Sequence, residues 1–128
     1  MIHTEIKISD AELEIMRILW REERPMKAAE LTDELEEKKD WNRSTTNTLV
    51  TRLRDKNLIE PVDRYGVARY IPLISEDDYI LAEERTLLDR FGSAKKLAIA
   101  MVRNKHLTDT DIDELREYFI AQGGGTDG

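Results

Sequence analysis

The sequence predicts a mainly α fold with one small β-hairpin, and three observations carry that prediction. Apolar residues recur at helical spacing along most of the 128 residues. Helix-start signals precede those stretches at Ser9, Asn42 and Thr108. Alternating runs of strand type are confined to residues 58–62 and 67–71. The length suits one ordinary domain, or a small domain with an appendage, and excludes two large ones.

The first helix is expected from about Asp10 to Glu22. Ser9-Asp10-Ala11-Glu12 has the form of a capping box, in which Ser9 caps the first turn and Glu12 reaches back to the Ser9 amide. Leu13, Met16 and Trp20 follow at spacings of three and four, and Ile15 and Leu19 widen the stripe. Pro25 breaks this helix, Met26-Lys27 can be briefly extended, and Ala28, Leu31 and Leu35 trace a second buried stripe that ends within residues 38–41.

The third helix, residues 42–56 with Asn42 as N-cap, is the informative one. Thr46, Leu49, Val50 and Leu53 form its apolar face. At 100° per residue, Ser44, Thr48 and Thr51 point away from that face, with Thr45, Asn47 and Arg52 on its flanks. Four threonines, a serine and an asparagine oppose helix formation locally, so something other than helicity selects them. Short hydroxyl and amide side chains beside arginine suit a helix in the major groove of DNA, where they reach base edges or phosphates. A solvated Thr-rich helix held only by tertiary packing is the plain alternative.

Asn57 suits a left-handed helix terminator, and the two short strands are expected to be joined through Asp63-Arg64-Tyr65-Gly66. Pro61 is compatible with an edge strand. Three helices followed by a two-stranded ribbon is the order of a winged helix-turn-helix, in which Arg64 and Arg69 would be the wing's phosphate contacts. The expected DNA-contact set is thus Arg43, Ser44, Thr45, Asn47, Thr48, Thr51, Arg52, Arg64 and Arg69.

After Pro72 the chain turns acidic and helical. Ser75-Glu76-Asp77-Asp78 opens a helix with acids where the helix dipole favours them, and Gly92-Ser93 interrupts it. A short helix through Leu97, Met101 and Val102 follows, and Thr108-Asp109-Thr110-Asp111 caps a last one. The expected organisation is a winged helix over 1–73, a helical dimerisation module over 74–122 and a disordered tail over 123–128. Three short helices bury too little surface to stand alone, which implies a partner. Ile80, Leu87, Leu88, Phe91, Leu97, Met101, Ile112, Leu115 and Phe119 are the expected dimer contacts. Folding of these helices back onto their own winged domain is the alternative.

Charge is unevenly placed. The net charge is −7 overall, but residues 41–70 carry 6 basic and 3 acidic side chains, against 7 and 12 in each flanking segment. One basic island in an acidic chain fits a localised DNA surface. With no cysteine, disulfides, zinc-thiolate sites and thiol sensing are excluded. No metal or other cofactor is expected. His3 and His106 are isolated, and no glycine-rich phosphate loop or nucleophile constellation argues for an enzyme. Neither a membrane span nor a secretion signal is evident, so a cytoplasmic protein is expected.

Specific segments resemble the penicillinase and methicillin-resistance repressors of the BlaI/MecI type. They are Ile8-Ser9-Asp10-Ala11-Glu12-Leu13-Glu14-Ile15-Met16 with Leu19-Trp20, then Trp41 with Thr45, Thr48, Arg52-Leu53 and Lys56, then Tyr70-Ile71-Pro72, Asp78-Tyr79 and Arg90-Phe91. The resemblance implies a transcriptional repressor that binds short palindromic operators as a homodimer, with resistance or stress-response genes as its targets. Relatives are inactivated by a regulatory protease at an Asn-Phe bond, and the corresponding Leu97-Ala98-Ile99-Ala100-Met101-Val102 has no such pair. The cysteine cluster of copper-responsive relatives is also missing. Arg43 and Ser44 replace the proline and lysine that open the recognition helix of some relatives, which implies a different operator. A winged helix that binds protein instead of DNA is the rival reading.

Overall fold

The computed structural model describes residues 6–123, apart from the side chain of Arg64. The opening residues with His3, and the expected tail beyond Gly123, lie outside the described residues. The element order is α1 (Asp10–Glu22), α2 (Ala28–Lys39), α3 (Arg43–Asp55), β1 (Ile59–Arg64), β2 (Val67–Pro72), α4 (Glu76–Phe91), α5 (Ala94–Arg103) and α6 (Asp109–Ala121).

Local chemistry accounts for the helix ends. The Glu12 amide donates to Ser9 Oγ at 3.1 Å and the Ser9 amide donates to Glu12 Oε1 at 2.8 Å, so the capping box closes as expected. Asn42 caps α3 by accepting from the Thr45 amide at 2.8 Å, and Thr108 and Asp111 form a second capping box on α6. Asn57 takes a φ of 62°, ending the α3 turn in the left-handed conformation that asparagine tolerates.

The hairpin is longer than its sequence pattern suggests. β1 and β2 pair antiparallel from Ile59↔Pro72 to Arg64↔Val67, so Asp63 and Arg64 belong to the strand and not to the loop. Only Tyr65 and Gly66 remain in the turn, with φ of 57° and 78°. A two-residue turn with both φ positive matches the twist of the flanking strands, which is why pairing runs to the tip. Leu58 precedes the strand, and its amide donates to the Leu53 carbonyl while its own carbonyl accepts from Leu73. Pro61 sits opposite Tyr70 in a sheet of two edge strands, where its missing donor is harmless. Met26 exchanges two backbone bonds with Tyr70, at 3.1 and 2.7 Å, as an isolated antiparallel bridge.

The chain divides into two compact units that meet between Glu83 and Glu84, inside α4. Within the first unit, the Trp20 indole donates to the Ile74 carbonyl at 2.9 Å and its ring lies 5.6 Å from that of Tyr79, tilted by 32°. The start of α4 is thereby held to α1. The first unit owns the core, built from Ile15, Met16 and Leu19 of α1, Leu31 and Leu35 of α2, Leu49, Val50 and Leu53 of α3, and Met26, Leu58 and Ile59. Leu13, Trp20 and Trp41 lie at its margin, half-buried. In the second unit, none of the described residues is buried.

Thr46 is fully buried on the inner face of α3, and its hydroxyl has no hydrogen-bond partner among the described residues. Leaving a buried donor unpaired is costly, so Thr46→Val, which keeps the shape, should raise unfolding stability by about 1 kcal/mol in denaturant titration. A loss of stability would show that the hydroxyl has a partner in solution. Glu34 provides a pH readout. Two bonds from Arg21, at 2.6 and 2.7 Å, together with Lys38, hold its carboxyl at about 2 despite partial burial. A carboxyl depressed by folding stabilises above its ordinary value of 4.5 and loses that contribution as pH falls toward about 2. The stability gap between wild type and Glu34→Gln should therefore be constant near neutrality and shrink below pH 4.5; a gap unchanged by acid would contradict the pairing.

Candidate nucleic-acid interface

The burial of α3 sorts its residues into two faces. Thr46, Leu49, Val50 and Leu53 are buried, as their spacing requires. Arg43, Ser44, Thr45, Asn47, Thr48, Thr51 and Arg52 are all exposed. The helix has 13 residues, hence a length of roughly 20 Å, and its most outward positions, Ser44, Thr48 and Thr51, carry short side chains. Such a cylinder can enter a major groove without long side chains holding it off.

Electrostatic partnership separates this face from the rest of the first unit. On α1, α2 and their connection, five of the six cations are matched: Arg17 with Glu14, Arg21 with Glu34, Arg24 with Glu30, Lys38 with Glu34, and Lys39 with Glu14, all within 3.6 Å, with Lys27 the exception among the described residues. Arg43 and Arg52 make no ion pair among the described residues. α3 has no acid in its first turn, and its one carboxylate is Asp55 at the last residue. The helix start therefore adds its own positive end to Arg43. An acidic chain thus keeps an uncompensated positive surface where a polyanion would be recognised by groove-reading side chains.

A buried charge ties the end of this helix to the start of α1. Glu12 is 2% exposed, and Lys56, just beyond α3, donates to its Oε1 at 2.6 Å and to the Lys7 carbonyl at 2.9 Å. Burial pushes the Glu12 carboxyl up, but the Lys56 bond and the Ser9 amide outweigh it and hold it below the usual range. The sequence reading took Glu12 for a cap alone; its second role needs a partner 44 residues away, which no local spacing reveals.

The wing contributes unevenly. Arg69 pairs across the ladder with Val62 and is half-buried, unlike the exposed α3 set. Arg64 ends β1, and its side chain lies outside the described residues. Two residues absent from the sequence-derived set belong to the same region. Arg54 lies over the Tyr70 ring at 6.0 Å, joining the end of α3 to the base of the wing. Tyr65 forms the tip and is 99% exposed. The apolar residues expected at the dimer contact divide as well: Ile80, Leu87, Leu88, Phe91, Met101, Leu115 and Phe119 are exposed, while Leu97 and Ile112 are half-buried. Among the described residues no cluster of His, Cys, Asp or Glu could hold a metal ion, and no helix is long and apolar enough to cross a membrane.

Comparison with known proteins agrees with this geometry. The family described as Penicillinase repressor matches residues 8–121. The penicillinase repressor of Staphylococcus aureus is 30% identical over 119 residues, covering 91% of this chain and 94% of that protein. The penicillinase repressor of Bacillus licheniformis is 32% identical over 111 residues, covering 85% and 86% respectively. Among solved structures, the Bacillus licheniformis BlaI monomeric form in complex with the blaP half-operator superposes with a TM-score of 0.53 at 33% identity, over 59% of this chain and 92% of that one. With α1–α3 and the hairpin forming a winged helix, and the family match running from before α1 to the end of α6, this chain belongs to the penicillinase repressor family, of the BlaI/MecI type.

Proposed function

We propose that this protein is a sequence-specific DNA-binding transcriptional repressor that acts as a homodimer on palindromic operators. The observation that carries the reading is the outer face of α3, exposed, short in side chain and holding Arg43 and Arg52 without a carboxylate partner among the described residues. In this reading Arg43, Arg52, Arg64 and Arg69 anchor phosphates, and Ser44, Thr45, Asn47, Thr48 and Thr51 meet base edges or adjacent phosphates. The rival, a protein-binding winged helix, needs apolar anchors, and the outward positions of α3 offer hydroxyls instead. The bound half-operator in the BlaI structure supports DNA as the partner.

The winged helix of residues 1–73 is the DNA reader and residues 74–122 the dimerisation module. Support for a dimer comes from the second unit, where Phe91 is 55% and Phe119 64% exposed and nothing described is buried. A second copy covering those side chains would supply the missing core. Two α3 helices would then enter successive major grooves about one helical turn apart, and occupation of the promoter would repress. That work is non-enzymatic and belongs in the cytoplasm, with the DNA. Resistance or stress-response genes are the proposed targets. A regulatory protease acting at Asn-Phe has no such bond to cut in Leu97-Ala98-Ile99-Ala100-Met101-Val102, which argues against induction by cleavage at that position.

The deciding experiment is a titration against random duplex DNA at several salt concentrations, followed by sequencing of the retained fraction. Enrichment of a palindrome with strongly salt-dependent affinity is expected, and no enrichment by folded dimer would refute the repressor reading. Arg52→Ala should weaken binding to all sequences alike and reduce the salt slope by about 0.9; a change confined to sequence preference would reassign Arg52 to base reading. Leu88→Asp should give a monomer in sedimentation with helix content retained, and lower operator affinity on the order of 100-fold. A Leu88→Asp variant that remains dimeric would remove Leu88 from the interface.

A further inference from the structure

The tip of the wing holds a residue that neither local conformation nor packing accounts for. In a two-residue turn with both φ positive, asparagine or aspartate before glycine is the usual choice, since left-handed backbone disfavours a bulky side chain. Here the position is Tyr65, at φ 57°, followed by Gly66 at 78°. Tyrosine ordinarily earns its place by burying its ring, yet this ring is 99% exposed and rests on nothing. A strained, fully exposed aromatic at a loop tip points outward to a ligand.

Its placement says which ligand. The base of the hairpin is anchored at three points: the two Met26–Tyr70 backbone bonds, Arg54 over the Tyr70 ring, and the Leu58–Leu73 bond. Two of these residues, Arg54 and Leu58, are in or directly after α3, so the wing is held at a set angle to the groove-reading helix. Six-residue strands then carry the tip roughly 20 Å from that base. With α3 in the major groove, such a lever reaches the flanking backbone. Asp63, exposed beside the tip, makes attraction there not simply cationic. A neutral phenol can approach a phosphodiester without a charge of its own.

We propose that Tyr65 is a DNA-backbone contact, its hydroxyl donating to a phosphate oxygen and its ring lying against the adjoining deoxyribose. This rests on the repressor reading above, and it adds a contact that supplies affinity without releasing a counterion. The strain at φ 57° is then the cost of presenting the ring.

The test compares full-length wild type, Tyr65→Asn and Tyr65→Phe on a random-sequence duplex pool across a salt series, with thermal unfolding of each free protein. Tyr65→Asn should bind about 5-fold more weakly at every salt concentration, with the slope of log affinity against log salt unchanged. Its unfolding midpoint should equal or exceed that of wild type, because asparagine suits the left-handed turn. Tyr65→Phe should fall between the two in affinity. A weaker-binding protein that is equally or more stable is not what a structural tyrosine would produce. Wild-type affinity in Tyr65→Asn would overturn the contact, as would a loss accompanied by a lower midpoint or a reduced slope. Wild-type affinity in Tyr65→Phe would overturn the phosphate bond. Failure of the wild type to bind DNA at all would overturn the repressor reading, and the contact with it.

Discussion

The Glu12 carboxylate joins three parts of the first unit that are distant in sequence. It closes the cap on α1, receives Lys56 from the end of α3, and through that same ammonium is tied to the Lys7 carbonyl ahead of α1. A carboxylate with 2% exposure cannot remain charged without such partners, and Lys56, itself partly solvated, supplies the compensation. The angle at which α3 leaves the core is thereby coupled to the start of α1. The buried face of Thr46, Leu49, Val50 and Leu53 then turns Thr48 outward from an α3 that is held at its end to α1. Arg54 over Tyr70 and the Met26–Tyr70 bonds pass the constraint on to the hairpin.

Charge in this chain is divided by task. The helices that only support the reader neutralise themselves, with Arg21 and Glu34 meeting through paired bonds and Lys38 joining them. A net charge of −7 would repel DNA if it were spread evenly. Instead the carboxylates near the cations of α1 and α2 are occupied, and the arginines of α3 pair with no carboxylate among the described residues. A Debye length of about 8 Å at physiological ionic strength then lets the local surface prevail over distant acids. Acidic total charge and DNA recognition are compatible on this account.

The second unit poses the opposite problem. Its helices are well capped, by Ser93 on α5 and by the Thr108–Asp111 box on α6, yet no described side chain in it is buried. Capping and helix propensity are worth too little to hold short helices whose apolar sides face water. The family match over residues 8–121 therefore spans two kinds of structure, one with a buried core of its own and one whose described residues bury none.

Local signals made much of this legible in advance. Ser9 with Glu12, Asn42, and Thr108 with Asp111 each act through bonds to backbone within a few residues, and Asn57 through its tolerance of a left-handed backbone, so their roles can be read from local sequence alone. The two faces of α3 were equally legible, because a helix has one period and Thr46, Leu49, Val50 and Leu53 follow it. The hairpin was less so: the Asp63-Arg64 pairing depends on a turn chosen by strand twist, and Tyr65 is not the residue that such a turn favours. What the sequence by itself determined was the order of elements, their caps and the face α3 would bury, since these are set by interactions of short range. What only the tertiary structure decided was the bond between Glu12 and Lys56, the hold of Trp20 on Ile74 and Tyr79, and the lack of a carboxylate partner for Arg43 and Arg52 among the described residues. Those depend on which residues meet when the helices pack, and no periodicity along the chain encodes that meeting.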